Sequence, residues 1–200
     1  MLDNPILEVK DEDECVKGFN FENEYLIKAD FYRTEFNSVV FKKCRFEKCD
    51  FSNASFYNTV FENCDFSNSN FTESYFQKTN FLYCKGDGAV FIKSRQTDCI
   101  FSNCSLKYAN FSSSVYNSTS FEECDLKETL FTEVVFKKQN FSNCIMHNIS
   151  FFKTCLKGVD LSTCQIEGLT VSDTYKELSG LKISGNQAED IIKLLGVKIT

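Results

Sequence analysis

The chain has one histidine in 200 residues, no long apolar run and no basic, apolar leader. A membrane-spanning helix needs about 20 consecutive apolar residues, so none is expected. Without the leader, neither is a secretory signal. One histidine gives a metal site little to build on. The motifs of catalysis are missing too: there is no phosphate loop, nucleophile elbow, zinc spacing or dinucleotide fingerprint. An enzyme is not expected, and no cofactor is implied. Regular threonine arrays that would make an ice-binding face are also absent.

What the chain does have is phenylalanine in a fixed frame. Twenty of its 22 phenylalanines fall at every fifth position, from Phe21 through Phe31, Phe36 and Phe41 to Phe151. A helix and a strand have periods of about 3.6 and about two, so neither keeps every fifth side chain on one face. A period of five needs a backbone that turns a corner at each repeat, which makes a solenoid. Leu26, Leu106, Tyr116, Leu126, Met146, Leu156, Leu161, Ile166 and Val171 fill other slots of the frame, and Gly86 and Gln96 break it. Two residues earlier a second frame holds Ala, Ser, Thr, Cys or Val, with Gln139, Ile149 and Leu169 as exceptions. The bulky residue fills the centre of the coil and the small one points inward beside it. A core filled this way leaves little room for a substrate pocket.

A longer period lies within the small frame. Cys44, Cys64, Cys84, Cys104, Cys124, Cys144 and Cys164 recur at every fourth unit, and Phe41, Phe61, Phe81, Phe101, Phe121 and Phe141 recur with them. Four units therefore close one coil, and coils stack in register at about 4.8 Å. Rings at that spacing can offset-stack, adding about 0.5–1.5 kcal/mol per pair beyond burial. About eight such coils make a rod on the order of 35–40 Å long. Nine of the eleven cysteines sit in the inward frame, where cysteine acts as a small hydrophobe. Stacking at about 4.8 Å exceeds the Cβ separation of about 3.8 Å that a disulfide prefers. Buried thiols, and hence a reducing cytoplasm, are the expectation.

The unit, small–any–large–polar–polar, resembles that of the pentapeptide repeat family. Cys49-Asp50-Phe51-Ser52-Asn53, Ser69-Asn70-Phe71-Thr72-Glu73 and Ala109-Asn110-Phe111-Ser112-Ser113 match it closely. The resemblance spans about residues 29–173 and implies an all-β solenoid, a right-handed quadrilateral β-helix. Residues 1–20 then form a lead-in or cap, 21–175 the β-helix, and 176–200 a C-terminal cap with a short α-helix.

Solenoid ends need covering, because an open coil exposes core and unpaired strand groups. The segment Gln187 to Leu195 places Ala188, Ile191, Ile192 and Leu195 on one helical face, and Gly196 reads as its stop. Val197, Lys198 and Ile199 follow as an extended tail. The phrase Gln187-Ala188 … Ile192-Lys193-Leu194-Leu195-Gly196-Val197 resembles the closing segment of the quinolone-resistance (Qnr-type) subgroup. That likeness implies an end-to-end homodimer, with Ala188, Ile191, Ile192, Leu194, Leu195, Val197 and Ile199 as the cap and dimer residues. The frame never shifts, so the loops that many such proteins insert are missing, and the loop-free members are the nearer comparison.

Residues 1–30 hold nine acids and three bases, and the rest of the chain holds 19 of each. The Qnr-type resemblance implies partial mimicry of duplex DNA and contact with DNA gyrase or topoisomerase IV, without direct nucleic-acid binding. Mimicry would have to come from one side of the rod. The face of the Phe21 column carries Glu22, Glu62, Glu122, Glu123 and Asp160 against Lys42 and Lys43. The face of Phe31 is modestly acidic, the face of Phe36 is basic, and the fourth balances. Glu62, Glu122, Glu123 and Asp160 are the candidate partner-binding acids. The ordinary alternative is that any soluble rod needs charged faces, and that the chain is an interaction scaffold unrelated to DNA topology. His147 occupies an outward slot and reads as a surface residue rather than a base.

Overall fold

The computed structural model describes residues 5–12 and 15–198, with the backbone alone for 9–12. The chain winds into a four-sided β-solenoid of about eight turns. One side is a seven-stranded parallel sheet of short strands running from Cys15–Lys17 through Glu35–Asn37 and Arg95–Thr97 to Val135–Lys137. The next side is a second seven-stranded parallel sheet, from Asn20–Glu22 through Val60–Glu62 to Asn140–Ser142. The remaining two sides pair mostly through single bridges such as Asp30↔Asp50 and Asp65↔Lys85. Between the paired strands, register is offset by one coil of four units, as in Phe41↔Phe61 and Phe61↔Phe81.

Every Phe of the predicted column from Phe41 to Phe141 is buried, as are all seven cysteines of the ladder. Ring geometry follows the two directions of the coil. Between coils rings stack: Phe51 and Phe71 lie 4.8 Å apart at 2°, and Phe81 and Phe101 lie 4.4 Å apart at 4°. Within a coil they meet edge to face, as Phe41 and Phe46 do at 5.4 Å and 89°. Both arrangements satisfy the ring quadrupole, so one residue type serves all four sides.

Three local devices make the corners. The second residue after the frame position adopts a left-handed backbone in almost every unit, for example Asn53, Asn63, Asn103 and Asn143 at φ 53–58°. Asn tolerates that region best after Gly, yet Lys43, Glu73 and Tyr83 are held there too. Ahead of the frame position, Asp or Asn accepts from the N–H two residues on, as Asp50 does from Ser52 at 2.9 Å and Asn70 from Thr72 at 3.1 Å. Such Asx turns replace strand by a tight corner. The small-frame side chain then donates to a carbonyl of the preceding coil: Ser69 to Phe46 O, Thr129 to Leu106 O and Cys104 Sγ to Phe81 O at 3.3 Å. Where the inward slot holds Ser, Thr or Cys it therefore adds a bond between coils, while Ala54, Ala89 and Ala109 fill the same slot by size alone.

Gly86 and Gln96 keep the register without a bulge, since Gln96 sits in its strand opposite Phe76 and Tyr116. The Phe66 ring leans into the space above Gly86, where a Cβ would overlap it. Gln96 is buried, with Nε2 3.5 Å from Ser94 Oγ and Oε1 unpartnered, and the buried Tyr116 hydroxyl one coil on is also unpartnered.

The lead-in is shorter than the frame implies. Helix α1 (Pro5–Glu12) buries Ile6, and pairing starts at Cys15↔Glu35 with Val16 already in the core. At the other end, the last pairing, Asp160↔Lys182, encloses a coil longer than all the others. Glu177 and Gln187 close that end. Glu177 accepts from the N–H groups of Lys153 (2.8 Å) and Ser172 (3.0 Å), and Gln187 donates to Leu161 O (2.8 Å) and Cys164 O (2.5 Å). Gln187 is the buried anchor of helix α2 (Ala188–Leu194), which turns Ile191 and Leu194 against the core. The expected face of Ala188, Ile191, Ile192 and Leu195 is thus corrected: Leu195 is half exposed and Ile192 does not join the packed cluster.

Candidate interaction surfaces

The side chains that could recognise a partner lie on the outside of the coil, and opposite charges on adjacent coils neutralise many of them. Lys93 meets Glu73 at 3.2 Å, Lys153 meets Glu133 at 3.1 Å and Lys107 meets Asp87 at 3.9 Å, each pair one coil apart. Exposed pairs of this kind contribute about 0–1 kcal/mol each. Their larger effect is to flatten the field of the side that carries them.

On the Phe21 side the candidate acids are spread along the rod. Glu62 is 3.7 Å from Lys42, and Glu22 is 3.7 Å from Lys43. Three coils further on, about 14 Å away, Glu122 accepts from Ser120 Oγ at 2.9 Å. Glu123, at φ 54°, has no side-chain partner among the described residues. Asp160 accepts from the Ser162 N–H at 2.9 Å, and that residue together with Lys182 holds its carboxyl below the usual value. The structure therefore brings Glu122 and Glu123 together and keeps Glu62 and Asp160 apart from them. Between Glu62 and Glu122 the same side exposes Tyr83 and Ile100, an apolar stretch that charge counting passes over.

The C-terminal end is the second candidate surface. Leu195 and Val197 are 51% and 52% exposed, beside the partly buried Ile191, Ile192 and Leu194. Ile199 lies outside the described residues.

Among the described residues no three His, Cys, Asp or Glu converge on a point that could hold a metal ion. His147 Nδ1 lies 4.0 Å from Glu167 on the next coil, so it is less isolated than its slot implies. Burial pushes the thiols of Cys49 and Cys99 up to about 11 and about 12, which favours their protonated form. No helix among the described residues is long and apolar enough to cross a membrane.

A family model described as a pentapeptide repeat region matches residues 17–91 and 54–131, and one for pentapeptide repeats in eight copies matches 119–158. No curated protein matches the sequence. Among solved structures, a trypsin-treated form of QnrB1, a plasmid-mediated fluoroquinolone resistance protein, is similar in fold. Its TM-score is 0.56 at 21% identity, over 93% of this chain and 98% of that one. HetL, a pentapeptide repeat protein involved in heterocyst differentiation regulation from the cyanobacterium Nostoc, covers 90% of this chain and 91% of its own at 12% identity and a TM-score of 0.37.

Proposed function

The chain belongs to the pentapeptide repeat family, and on that premise we propose that it is a non-enzymatic binding rod for DNA gyrase or a related type II topoisomerase. The observation that carries this reading is the Glu122–Glu123 pair, two adjacent carboxylates on the Phe21 side without a cationic partner among the described residues. They stand in for neighbouring phosphates at the enzyme's DNA-binding surface, while the mixed charges elsewhere limit the mimicry to part of the rod. The fold shared with a fluoroquinolone resistance protein supports protection from gyrase poisons as the consequence. Exposed Leu195 and Val197 at the C-terminal end support an end-to-end homodimer, whose two-fold axis would match that of the enzyme. Binding to immobilised gyrase tests the reading: Glu122→Lys with Glu123→Lys is expected to weaken it tenfold or more, about 1.4 kcal/mol. Unchanged affinity would rule out these acids as the contact. A sedimenting monomer at micromolar concentration would remove the dimer.

A second reading, a scaffold for a protein partner unrelated to DNA topology, draws on Tyr83 and Ile100. An exposed aromatic and an aliphatic residue between acids fit the apolar centre and charged rim of a protein interface. Tyr83→Ala would then abolish partner capture while the Glu122 and Glu123 substitutions would not.

A further inference from the structure

The Phe36 side differs from the other three in one respect. It carries six bases, Lys17, Lys78, Arg95, Lys137, Lys138 and Lys157, against two acids; all six are exposed, and none forms an ion pair among the described residues. On the other sides the lysines at 42, 93, 107 and 153 are each neutralised one coil away, and Lys28, Lys48 and Lys85, also without an ion pair among the described residues, lie on the Phe46 side, where acids and bases balance. Arginine repeats the contrast. Arg33 lies over the Tyr32 ring at 5.0 Å, and Arg45 lies over Tyr25 at 5.1 Å and pairs with Glu47. Arg95 has neither, and stands beside a groove of about 480 Å³ lined by Tyr75, Val115, Asn53 and Ser113 together with the Lys93–Glu73 pair. The acids of this side are Glu35, near its N-terminal end, and Asp98.

The geometry points to this side as a binding surface for a nucleic-acid phosphate backbone. Its uncharged outward residues decide between that and an acidic protein. Asn37, Asn58, Gln77, Thr97, Asn117 and Ser118 offer donors of the kind that position phosphate and sugar oxygens. A protein interface is built around an apolar or aromatic centre; here the half-buried Tyr57 and Tyr75, 5.6 Å apart, with Val115 and the exposed Val135 are the outward apolar residues on these strands, and the bases and donors outnumber them. From Lys78 to Lys157 the surface runs about four coils, roughly 19 Å. A duplex lying along it presents about 11 phosphates over that length. Five contacts among them give a salt slope of about −4.5 and a loss of about 500-fold in affinity between roughly 50 and 200 mM salt. The inference departs from the expectation of no direct nucleic-acid binding, which came with the Qnr-type resemblance. It does not depend on the topoisomerase reading, because the probe is DNA without enzyme.

The test is fluorescence anisotropy of the full chain with a labelled DNA duplex of about two helical turns over a salt series. Binding at about 25 mM salt is expected, with a slope near about −4.5. Lys137→Glu, Lys138→Glu and Lys157→Glu together should lower the slope to about −2. A charge-matched control, Lys43→Glu, Lys107→Glu and Lys153→Glu, should leave it close to the parent value. Circular dichroism melts confirm that both triples fold. Absence of duplex binding at the lowest salt would overturn the proposal. So would equal weakening by the control, or equal affinity for poly-glutamate, which would reassign the surface to an acidic polypeptide.

Discussion

The Phe21 and Phe36 columns run the length of the same rod and are built differently. The first is phenylalanine in seven consecutive coils from Phe21 to Phe141, with Phe81, Phe101 and Phe121 stacked at 4.4 and 4.7 Å. The second holds Phe36, Phe56 and Phe76 and then changes to Gln96, Tyr116, Phe136 and Leu156. Yet strand register is identical on both sides, with each residue opposite its counterpart four units on. The backbone ladder and its corners therefore set the coil, and the core residues decide how firmly each stretch is held. A repeat protein tolerates such local change because each coil contacts mainly its neighbours.

Substitutions can sharpen that contrast, and the largest effect is expected in the uniform column. Phe101→Ala removes a ring stacked on both sides and should cost about 3–5 kcal/mol in chemical denaturation. A loss below about 1 kcal/mol would mean the stack adds little. Gly86→Ala comes next. The added methyl meets the Phe66 ring, and a cost of about 1–3 kcal/mol is expected from overpacking. In the interrupted column the sign reverses. Gln96→Leu removes a buried carbonyl oxygen without a partner, and a gain of about 1–2 kcal/mol is expected. Destabilisation would show instead that the glutamine is satisfied in solution.

The smallest effect concerns how the columns end. The Phe36 column closes where the Leu156 N–H donates to Glu177 O at 3.0 Å, whereas the Phe21 column closes on the neutral Gln187 amide at Leu161. Burial alone would raise the Glu177 carboxyl, but hydrogen bonds from its own backbone, from Ser172 and from the Lys153 N–H outweigh it and hold it below the usual value. A carboxyl lowered in the folded state contributes stability above its unfolded pKa, and that contribution is lost as pH falls through the folded value. Exchange of the Lys153 and Ser172 amides, which the carboxyl itself holds, should therefore speed up below about pH 4. The Gln187 side should stay protected, and Glu177→Gln should remove the difference.

The frame of five, the four-unit coil and the inward cysteines were legible because each depends on spacing alone. The corners were less so. Left-handed Asn is visible as a tendency at the second position after the frame, but Lys43 and Tyr83 adopt the same backbone because neighbouring coils impose it. Charge neutralisation across coils was legible in principle: opposite charges at equivalent positions of adjacent coils, as at Glu73 and Lys93 or Glu133 and Lys153, are its signal. Counting charge by face concealed it. The helix face was misread because apolar residues were aligned without Gln187, whose buried amide fixes the rotation and selects Ile191 and Leu194. The extra length of the final coil follows from the Glu177 segment, whose irregular turns leave no periodic trace.

The charged sides carry the functional account, and a supercoiling assay addresses it most directly. Gyrase is titrated with the purified protein, with and without a fluoroquinolone, beside the Glu122→Lys, Glu123→Lys variant. The account predicts that the parent chain inhibits supercoiling or restores it in the presence of drug, and that the variant does neither. No effect of the parent chain at tens of micromolar, or an equal effect of the variant, would contradict it.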